Sequence, residues 1–317
     1  MSGSATLRFA HLSDVHLAPM PAAPPRLLLN KRILGWLSWN LKRHRLHRRE
    51  ILDALVADLR AQAPDHLLVT GDLVNISLPE EYERAAAWLA ALGPPRQVSL
   101  VPGNHDAYVA GAADRGWRHW AAWMRGDAAA EPVFPYLRRR GFVAILGLST
   151  AVPSPPGYAS GRLGDAQLRA LEAALVALAA EGRFRIVLLH HPALPVSRPR
   201  KALEDREAFR AVIRRAGAEL VLSGHEHRFH EGFLAGPGGP VPAFVVPSAS
   251  HGGDLAEKRS GYLLFDIERQ AGGWRLGARL RRLVEGELAF ADGATRELRL
   301  PRPEAGVPAG RLLGGVP

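Results

Sequence analysis

The sequence predicts an α/β fold, in which strands and helices alternate along the chain. Short apolar runs indicate buried strands, and the longer segments between them carry apolar residues at helical spacing. Such alternation is typical of α/β architectures. The C-terminal third is rich in strand-like runs, which predicts a second, more antiparallel sheet.

The N-terminal part of the chain predicts three strands and two helices. The strands are apolar runs that each lead into a polar strand end, at residues 7–12, 67–69 and 98–101. The first helix, residues 46–61, has apolar residues at helical spacing and ends before Pro64. The second, residues 79–92, begins with proline and is followed by Gly93.

The same alternation continues through the middle and the C-terminal part. Strands are predicted at residues 142–148, 186–189 and 220–222, and helices at residues 165–180 and 203–216. Further strands follow at residues 243–246, 262–267 and 274–283. We expect a single domain over residues 1–300, followed by a Pro- and Gly-rich tail at residues 301–317.

Composition restricts the chemistry that this chain of 317 residues can use. It contains no cysteine, which excludes disulfides, zinc fingers, iron–sulfur clusters and a thiol nucleophile. Any metal site must therefore use His, Asp, Glu or Asn. The formal charge of +10 favours anionic partners such as phosphates, nucleic acid or acidic lipid. We find neither a signal-peptide pattern nor an apolar run of about 18 residues, which predicts a cytoplasmic location.

Five polar blocks fall at predicted strand ends, where the side chains of an α/β fold form sites. They are Asp14-Val15-His16, Gly71-Asp72, Gly103-Asn104-His105-Asp106, His190-His191 and Gly224-His225-Glu226-His227. Imidazole and carboxylate ligands together suit Mn²⁺, Fe or Zn²⁺. About seven ligands are too many for one ion that also binds substrate, whereas paired ions are the usual device of phosphate ester chemistry. The pattern predicts two divalent metal ions.

The ordered series D-x-H, G-D, G-N-H-D, H-x-P and G-H-x-H resembles the signature of the calcineurin-like metallophosphoesterases, over roughly residues 6–250. Within that family, the sequence most resembles the bacterial class III cyclic-nucleotide phosphodiesterases. The resemblance implies a four-layer sandwich, with two mixed β-sheets flanked by helices. It also implies a hydrolase that acts on phosphoric ester bonds.

The resemblance further implies a role for each site residue. One ion would be held by Asp14, His16 and His227, and the other by Asn104, His190 and His225. Asp72 would bridge the two ions, and a hydroxide between them would be the nucleophile. His105 would stabilise the transition state or protonate the leaving oxygen, and Asp106 would orient His105 or brace its loop. His191 and His251 are candidates for substrate contact, although His191 is more typical of a structural residue.

The segment of about residues 20–49 departs from the family pattern as a basic helical insertion. Residues 15–49 contain eight Lys or Arg and no acid. The predicted helix is amphipathic. Its apolar arc consists of Leu29, Ile33, Leu34, Trp36, Leu37 and Leu41. Its basic arc, on the opposite side, consists of Lys31, Arg32, Lys42 and Arg43. This pattern is typical of an interfacial membrane helix. In one alternative, the apolar side of the helix packs on the domain or on a partner subunit and the basic side is solvated. In another, the segment contacts nucleic acid.

These features predict a dinuclear phosphoesterase that hydrolyses a phosphate ester, with a phosphodiester favoured. One alternative is a phosphodiesterase that acts on phospholipids or lipid-linked phosphodiesters. It would dock on an anionic membrane surface through residues 27–49 and would be a peripheral protein of the inner membrane. Another is a non-catalytic scaffold or nucleic-acid-binding protein. All seven ligand residues are present, which favours the enzyme, and nucleic acid is disfavoured because no groove pattern of aromatic and basic residues is evident.

Overall fold

Two six-stranded sheets face each other in the structure, a computed structural model that describes residues 6–253 and 255–302. The strands, in chain order, are β1 (Thr6–Leu12), β2 (His66–Val69), β3 (Val98–Leu100), β4 (Tyr136–Arg140), β5 (Val143–Gly147), β6 (Phe184–Leu188), β7 (Leu220–Ser223), β8 (His230–Gly236), β9 (Gly239–Val245), β10 (Gly261–Gln270), β11 (Gly273–Leu283) and β12 (Phe290–Pro301).

Both sheets are mixed. The first has the order β12-β11-β10-β1-β2-β3, with β1, β2 and β3 parallel and β10 antiparallel to β1. The second has the order β4-β5-β6-β7-β9-β8, with β5, β6, β7 and β9 parallel and both edge strands antiparallel. The carboxyl ends of neighbouring parallel strands therefore meet at one edge of each sheet.

Four helices cover the outer faces of the sheets. The bounds of the helices in the described residues are α1 (Arg32–Ser38), α2 (His44–Leu46), α3 (Arg49–Ala61), α4 (Pro79–Leu92), α5 (Ala112–Gly116), α6 (Asp165–Ala180) and α7 (Arg206–Ala216). The apolar stripes of α3 and α4 pack on the first sheet, and those of α6 and α7 pack on the second. A third core lies between the sheets and includes Phe9, Phe184 and Phe265. The predicted α/β architecture, with two mixed sheets flanked by helices, is confirmed.

The C-terminal strands are placed differently from the prediction. β10, β11 and β12 do not form a separate sheet, because β10 pairs along β1 from Thr6↔Glu268 to His11↔Leu263 and so extends the first sheet. The second sheet comes instead from the middle of the chain. Three strands, β4, β8 and β12, were not predicted, since they lie at sheet edges where exposed polar residues break the apolar runs.

The predicted helix 46–61 begins later than expected. α3 starts at Arg49 because His47 and Arg48 are extended, with φ/ψ of −95°/104° and −113°/127°. The Arg48 N–H donates to the carbonyl of Ser250, and a ring nitrogen of His47 lies 2.9 Å from the Ser250 hydroxyl. These contacts fix the break between α2 and α3.

The basic insertion lies with its apolar side outward. α1 continues into a π-helical turn over Trp39–Arg43, and the aliphatic side chains of this segment are exposed. Arg32 is buried instead, and its guanidinium donates to the carbonyls of Ile76 and Ser77. The alternative in which the apolar side packs on the domain and the basic side is solvated is met only in part. Trp39 is buried and Lys42 is exposed, but Arg32 is buried and the aliphatic side chains are exposed.

No helix among residues 6–253 and 255–302 is both long enough and apolar enough to cross a membrane. The predicted tail at residues 301–317 lies, apart from Pro301 and Arg302, outside the described residues.

Candidate metal centre

All five polar blocks converge where parallel strands of the two sheets end. Asp14 and His16 follow β1, Asp72 follows β2, and Asn104 follows β3. From the second sheet, the loop after β6 contributes His190, and the loop after β7 contributes His225 and His227. The seven residues that the resemblance implies as ligands form two adjoining groups.

The first group, here called the aspartate cluster, consists of Asp14, His16, Asp72 and His227. One ligand atom from each of these residues lies within 4.8 Å of the others. Nε2 of His227 is 3.1 Å from Oδ1 of Asp14 and 3.2 Å from Nε2 of His16. Nε2 of His16 is 3.7 Å from Oδ2 of Asp72. Two carboxylates and two imidazoles thus face one point.

The second group, here called the asparagine cluster, consists of Asn104, His190 and His225. Oδ1 of Asn104 lies 2.9 Å from Nδ1 of His225 and 3.1 Å from Nε2 of His190. Nε2 of His190 is also 3.4 Å from Oδ2 of Asp72. The same oxygen of Asp72 therefore faces both clusters.

Backbone strain is concentrated at these residues. Asp14, His16, Asp72, His225 and His227 all have positive φ, between 40° and 75°. Left-handed backbone is uncommon for residues with a Cβ and costs roughly 1–3 kcal/mol each, so it persists only where the surroundings enforce it. Clustering of strain is typical of functional sites.

Glycine is required where the chain passes closest to Asp72. A Cβ at Gly103 would collide with the Asp72 carboxylate and with the ring of His190. Gly71, with φ of 90°, lets the chain turn just before Asp72. The G-D and G-N-H-D blocks therefore need glycine because the space around the Asp72 carboxylate leaves no room for a Cβ.

Backbone carbonyls orient two of the histidines. Nδ1 of His16 lies 3.2 Å from the carbonyl oxygen of Val74, and Nδ1 of His190 lies 2.6 Å from that of Thr70. A carbonyl only accepts, so at His190 it fixes the proton on Nδ1 and leaves Nε2 free to bind a cation. Nδ1 of His16 also lies 3.1 Å from the Arg43 guanidinium, which only donates, so the carbonyl alone does not fix the proton there. In both histidines, Nε2 is the nitrogen that faces Asp72.

Burial and charge act in opposition across the site. Burial alone would raise the pKa of Asp14 and that of Asp72. His227 holds the pKa of Asp14 below its ordinary range, and His190 does the same for Asp72. Burial opposes charge on His190 as well, yet Asp72 raises its pKa to about 9. Burial lowers the pKa of His16 and His225 well below the ordinary value. The carboxylates therefore stay ionised and attract cations.

The donor set fits metal ions. Oδ1 of Asp14 is buried and has no hydrogen-bond partner, although Nε2 of His227 lies beside it. A buried carboxylate oxygen without a donor is costly unless a cation binds it. Imidazole nitrogen and carboxylate oxygen are both donor types that bind divalent metal ions.

Asp106 braces the loops around the site and does not contact His105 through its side chain. Its carboxylate accepts the backbone N–H groups of Asp72, Leu73, Val74 and Gly103 at 2.8–3.2 Å. Backbone donors occupy both of its oxygens, and a catalytic role for Asp106 stays a prediction. Of the two implied roles, bracing the loop is the one that these contacts describe.

His105 is oriented by two neighbours and points into the site. Its Nδ1 lies 2.5 Å from the carbonyl oxygen of Asn75, and its backbone N–H donates to Oδ1 of Asp72. The carbonyl fixes the proton on Nδ1, so Nε2 is left to face a ligand. The ring centroid of His105 is 4.8 Å from that of His16.

The insertion contributes two residues to the site that were not predicted to lie there. The guanidinium of Arg43 lies 3.1 Å from Nδ1 of His16 and 3.5 Å from Nε2 of His105. His47, which is buried, joins His16 and His227 in a further group whose ligand atoms lie within 4.8 Å of one another. No sequence signal separated these residues from the rest of a segment rich in Arg and His.

His191 and His251 lie beside the clusters. The two ring nitrogens of His191 are hydrogen-bonded to the Thr150 hydroxyl and the Ala159 carbonyl, and its ring centroid is 4.4 Å from that of His225. His251 lies against His47, with 5.8 Å between ring centroids, and its Nδ1 accepts the N–H of Gly253. His191 also forms a group with His190 and His225 whose ligand atoms lie within 4.8 Å of one another, and its contact with substrate stays a prediction.

Solved structures share the fold. A dimetal phosphatase from Danio rerio is 15% identical, with a TM-score of 0.58 and coverage of 93% of this chain and 99% of that chain. A purple acid phosphatase from yellow lupin is 14% identical, with a TM-score of 0.62 and coverage of 93% and 54%. At these identities the similarity concerns the fold alone.

Curated relatives are more similar in sequence. A protein of Synechococcus sp. described as a probable cyclic nucleotide phosphodiesterase is 29% identical over 275 residues, covering 85% of this chain and 91% of the relative. The glycerophosphodiester phosphodiesterase GpdQ of Enterobacter lignolyticus is 28% identical over 229 residues, covering 69% and 70%. The family model described as calcineurin-like phosphoesterase matches residues 7–229, which include all seven cluster residues. The chain therefore belongs to the calcineurin-like phosphoesterase family and is a hydrolase of phosphoester bonds.

Proposed function

We propose that this protein is a dinuclear metal-dependent phosphodiesterase. The observation that carries the proposal is the position of Asp72, whose Oδ2 lies 3.7 Å from Nε2 of His16 and 3.4 Å from Nε2 of His190. One carboxylate oxygen between two sets of donors is the arrangement that two neighbouring cations require. The non-catalytic scaffold alternative is set aside because the chain is a hydrolase.

The two clusters divide the ligands. Asp14, His16 and His227 would hold one ion, Asn104, His190 and His225 would hold the other, and Asp72 would contact both. When bound, two divalent cations supply a hydroxide nucleophile at neutral pH and neutralise the charge of the phosphate. Mn²⁺, Fe and Zn²⁺ are the candidates that these donors favour.

His105 and Arg43 would act on the substrate directly. Burial, together with the neighbouring Arg43, lowers the pKa of His105 to about 3, so its Nε2 would donate to the leaving oxygen only after an anionic phosphate raises that pKa. Arg43 is a half-buried guanidinium that forms no ion pair with a carboxylate among the described residues, and its contacts are with His16 and His105. A half-buried cation without a carboxylate partner at this position is suited to bind a phosphate oxygen.

A diester is favoured because two relatives are described as phosphodiesterases. The test compares bis(p-nitrophenyl) phosphate with p-nitrophenyl phosphate in the presence of Mn²⁺. We expect a higher kcat/KM for the diester and loss of both activities after chelation of the metal. A higher kcat/KM for the monoester would overturn the preference, and metal-independent hydrolysis would overturn the mechanism.

A lipid-linked phosphodiester is the second candidate substrate. The segment that supplies Arg43 and His47 to the site also exposes aliphatic side chains on its other face. The phosphodiester of an amphiphilic substrate would bind at the polar centre, and its lipid chain would contact the neighbouring apolar surface.

Replacing Arg43 with alanine tests its role as a phosphate ligand. We expect kcat/KM for bis(p-nitrophenyl) phosphate to fall by roughly 10²-fold, because a charged hydrogen bond to the phosphate would be lost. Arg43→Lys should recover part of the lost kcat/KM, because lysine restores the positive charge but not the planar, bidentate guanidinium. Exposed Arg45→Ala is the matched control and should match wild type. Wild-type kcat/KM in Arg43→Ala would contradict the assignment.

A further inference from the structure

The insertion carries a row of aliphatic side chains on its outward face. This apolar row consists of Leu29, Ile33, Leu34, Leu37 and Leu41, which are 87%, 43%, 48%, 43% and 76% exposed. A soluble domain rarely gathers exposed leucines on one helical face without a partner. Isolated exposed residues such as Val176 and Phe233, each 57% exposed, lie on other elements.

The opposite face of the same segment is anchored to the domain. Arg32 donates to the carbonyls of Ile76 and Ser77, and Lys31 donates to that of Ser154. Gly35 approaches Ile76 and Tyr108 so closely that a Cβ would collide with both. The row therefore faces outward because the other face is fixed by specific contacts.

Cations without carboxylate partners surround the apolar row. Arg26, Lys42 and Arg45 are exposed, and no ion pair engages them among the described residues. No acidic residue occurs between positions 15 and 49. Farther along the chain, Arg48 and Arg49 pair with Glu50 and Asp53. The surface around the row is thus apolar at its centre and positive at its edge.

We propose that the apolar row and its flanking cations dock this protein on an anionic lipid bilayer. Leucine and isoleucine side chains would enter the acyl boundary, and Arg26, Lys42 and Arg45 would meet lipid phosphates. A second copy of the chain fits less well, because a two-fold contact through this face would set positive charges against their own equivalents without intervening acids. Charge complementarity therefore selects the bilayer.

Docking at this face would bring the bilayer close to the candidate metal centre. Arg43 belongs to the same segment as the row, and its guanidinium reaches His16 and His105. If the proposed function holds, phosphodiesters of the bilayer surface become the accessible substrates. Docking itself requires no catalysis and is measured independently of it.

The test is sedimentation with vesicles of phosphatidylcholine containing or lacking phosphatidylglycerol. We expect wild type to sediment with the anionic vesicles and less with pure phosphatidylcholine, and added salt should weaken binding. The triple variant Leu34→Gln, Leu37→Gln, Leu41→Gln should lower the partition coefficient at least about tenfold. The double variant Lys42→Glu, Arg45→Glu should remove the preference for anionic vesicles.

The matched control is the double variant Val176→Gln, Phe233→Gln, which removes equally exposed apolar side chains elsewhere and should bind like wild type. Circular dichroism and hydrolysis of bis(p-nitrophenyl) phosphate should be unchanged in the triple variant, which separates docking from folding and chemistry. Wild type that stays in the supernatant with anionic vesicles at low salt would overturn the proposal. So would equal sedimentation of wild type and the triple variant, or a wild-type dimer that the triple variant abolishes without vesicle binding.

Discussion

Replacing Asp72 with alanine is expected to lower the hydrolysis of bis(p-nitrophenyl) phosphate by more than about 10⁴-fold, because both ions would lose a ligand at once. Oδ2 of Asp72 faces His16 and His190, whereas Oδ1 accepts the N–H of His105. The substitution therefore removes a contact to each cluster and one to the loop that bears His105. Initial rates with saturating Mn²⁺ measure the effect.

Asp205→Ala is the matched control for this substitution. Asp205 also binds backbone amides, those of Leu163 and Gly164, but it belongs to neither cluster. We expect this variant to lose some stability and to keep its activity per folded molecule. Substantial hydrolysis by folded Asp72→Ala would mean that the carboxylate is not shared between two ions.

Replacing His105 with alanine is expected to lower kcat by roughly 10²–10⁴-fold while both metal ions are retained, since a general acid contributes about that much. The ring contacts Asn75 and Arg43 through its nitrogens and is not needed to complete either cluster. The loss should be smaller for a substrate with a good leaving group, because such a group needs less protonation. Comparison of p-nitrophenyl and alkyl esters measures this difference.

His230→Ala serves as the control, since His230 lies on β8, in a strand at the edge of the second sheet. Its activity should equal that of wild type. Loss of metal from His105→Ala would assign His105 a structural role in the centre, and an equal loss for both kinds of leaving group would argue against proton donation.

The fold and the polar blocks were predictable because both follow from local sequence. Buried parallel strands are apolar on both faces, so β1, β2, β6 and β7 appear as short apolar runs. The residues that follow such strands meet at one edge of the sheet, which brings Asp14 and Asp72 together across many intervening residues.

The pairing of the C-terminal strands was not predictable in the same way. Strand register depends on contacts between distant residues, and the partner of β10 proved to be β1. A hairpin of charged and apolar residues such as β11 and β12 gives no local indication of which sheet it joins. The edge strands β4 and β8 share this difficulty.

The contribution of the insertion also depends on long-range contacts. Periodicity predicts an apolar arc and a basic arc, but it does not indicate which residues of each arc face the protein. Arg32 faces inward because the carbonyls of Ile76 and Ser77 accept its protons. Arg43 and His47 reach the site through contacts with His16, His105 and Ser250, which no pattern within residues 20–49 encodes.

The most direct test of the central proposal is the number of metal ions that the purified, metal-replenished protein binds, measured by elemental analysis against protein concentration. The shared position of Asp72 predicts two ions per chain in wild type and a loss of both in Asp72→Ala. One ion or none in fully folded wild type would contradict the dinuclear centre.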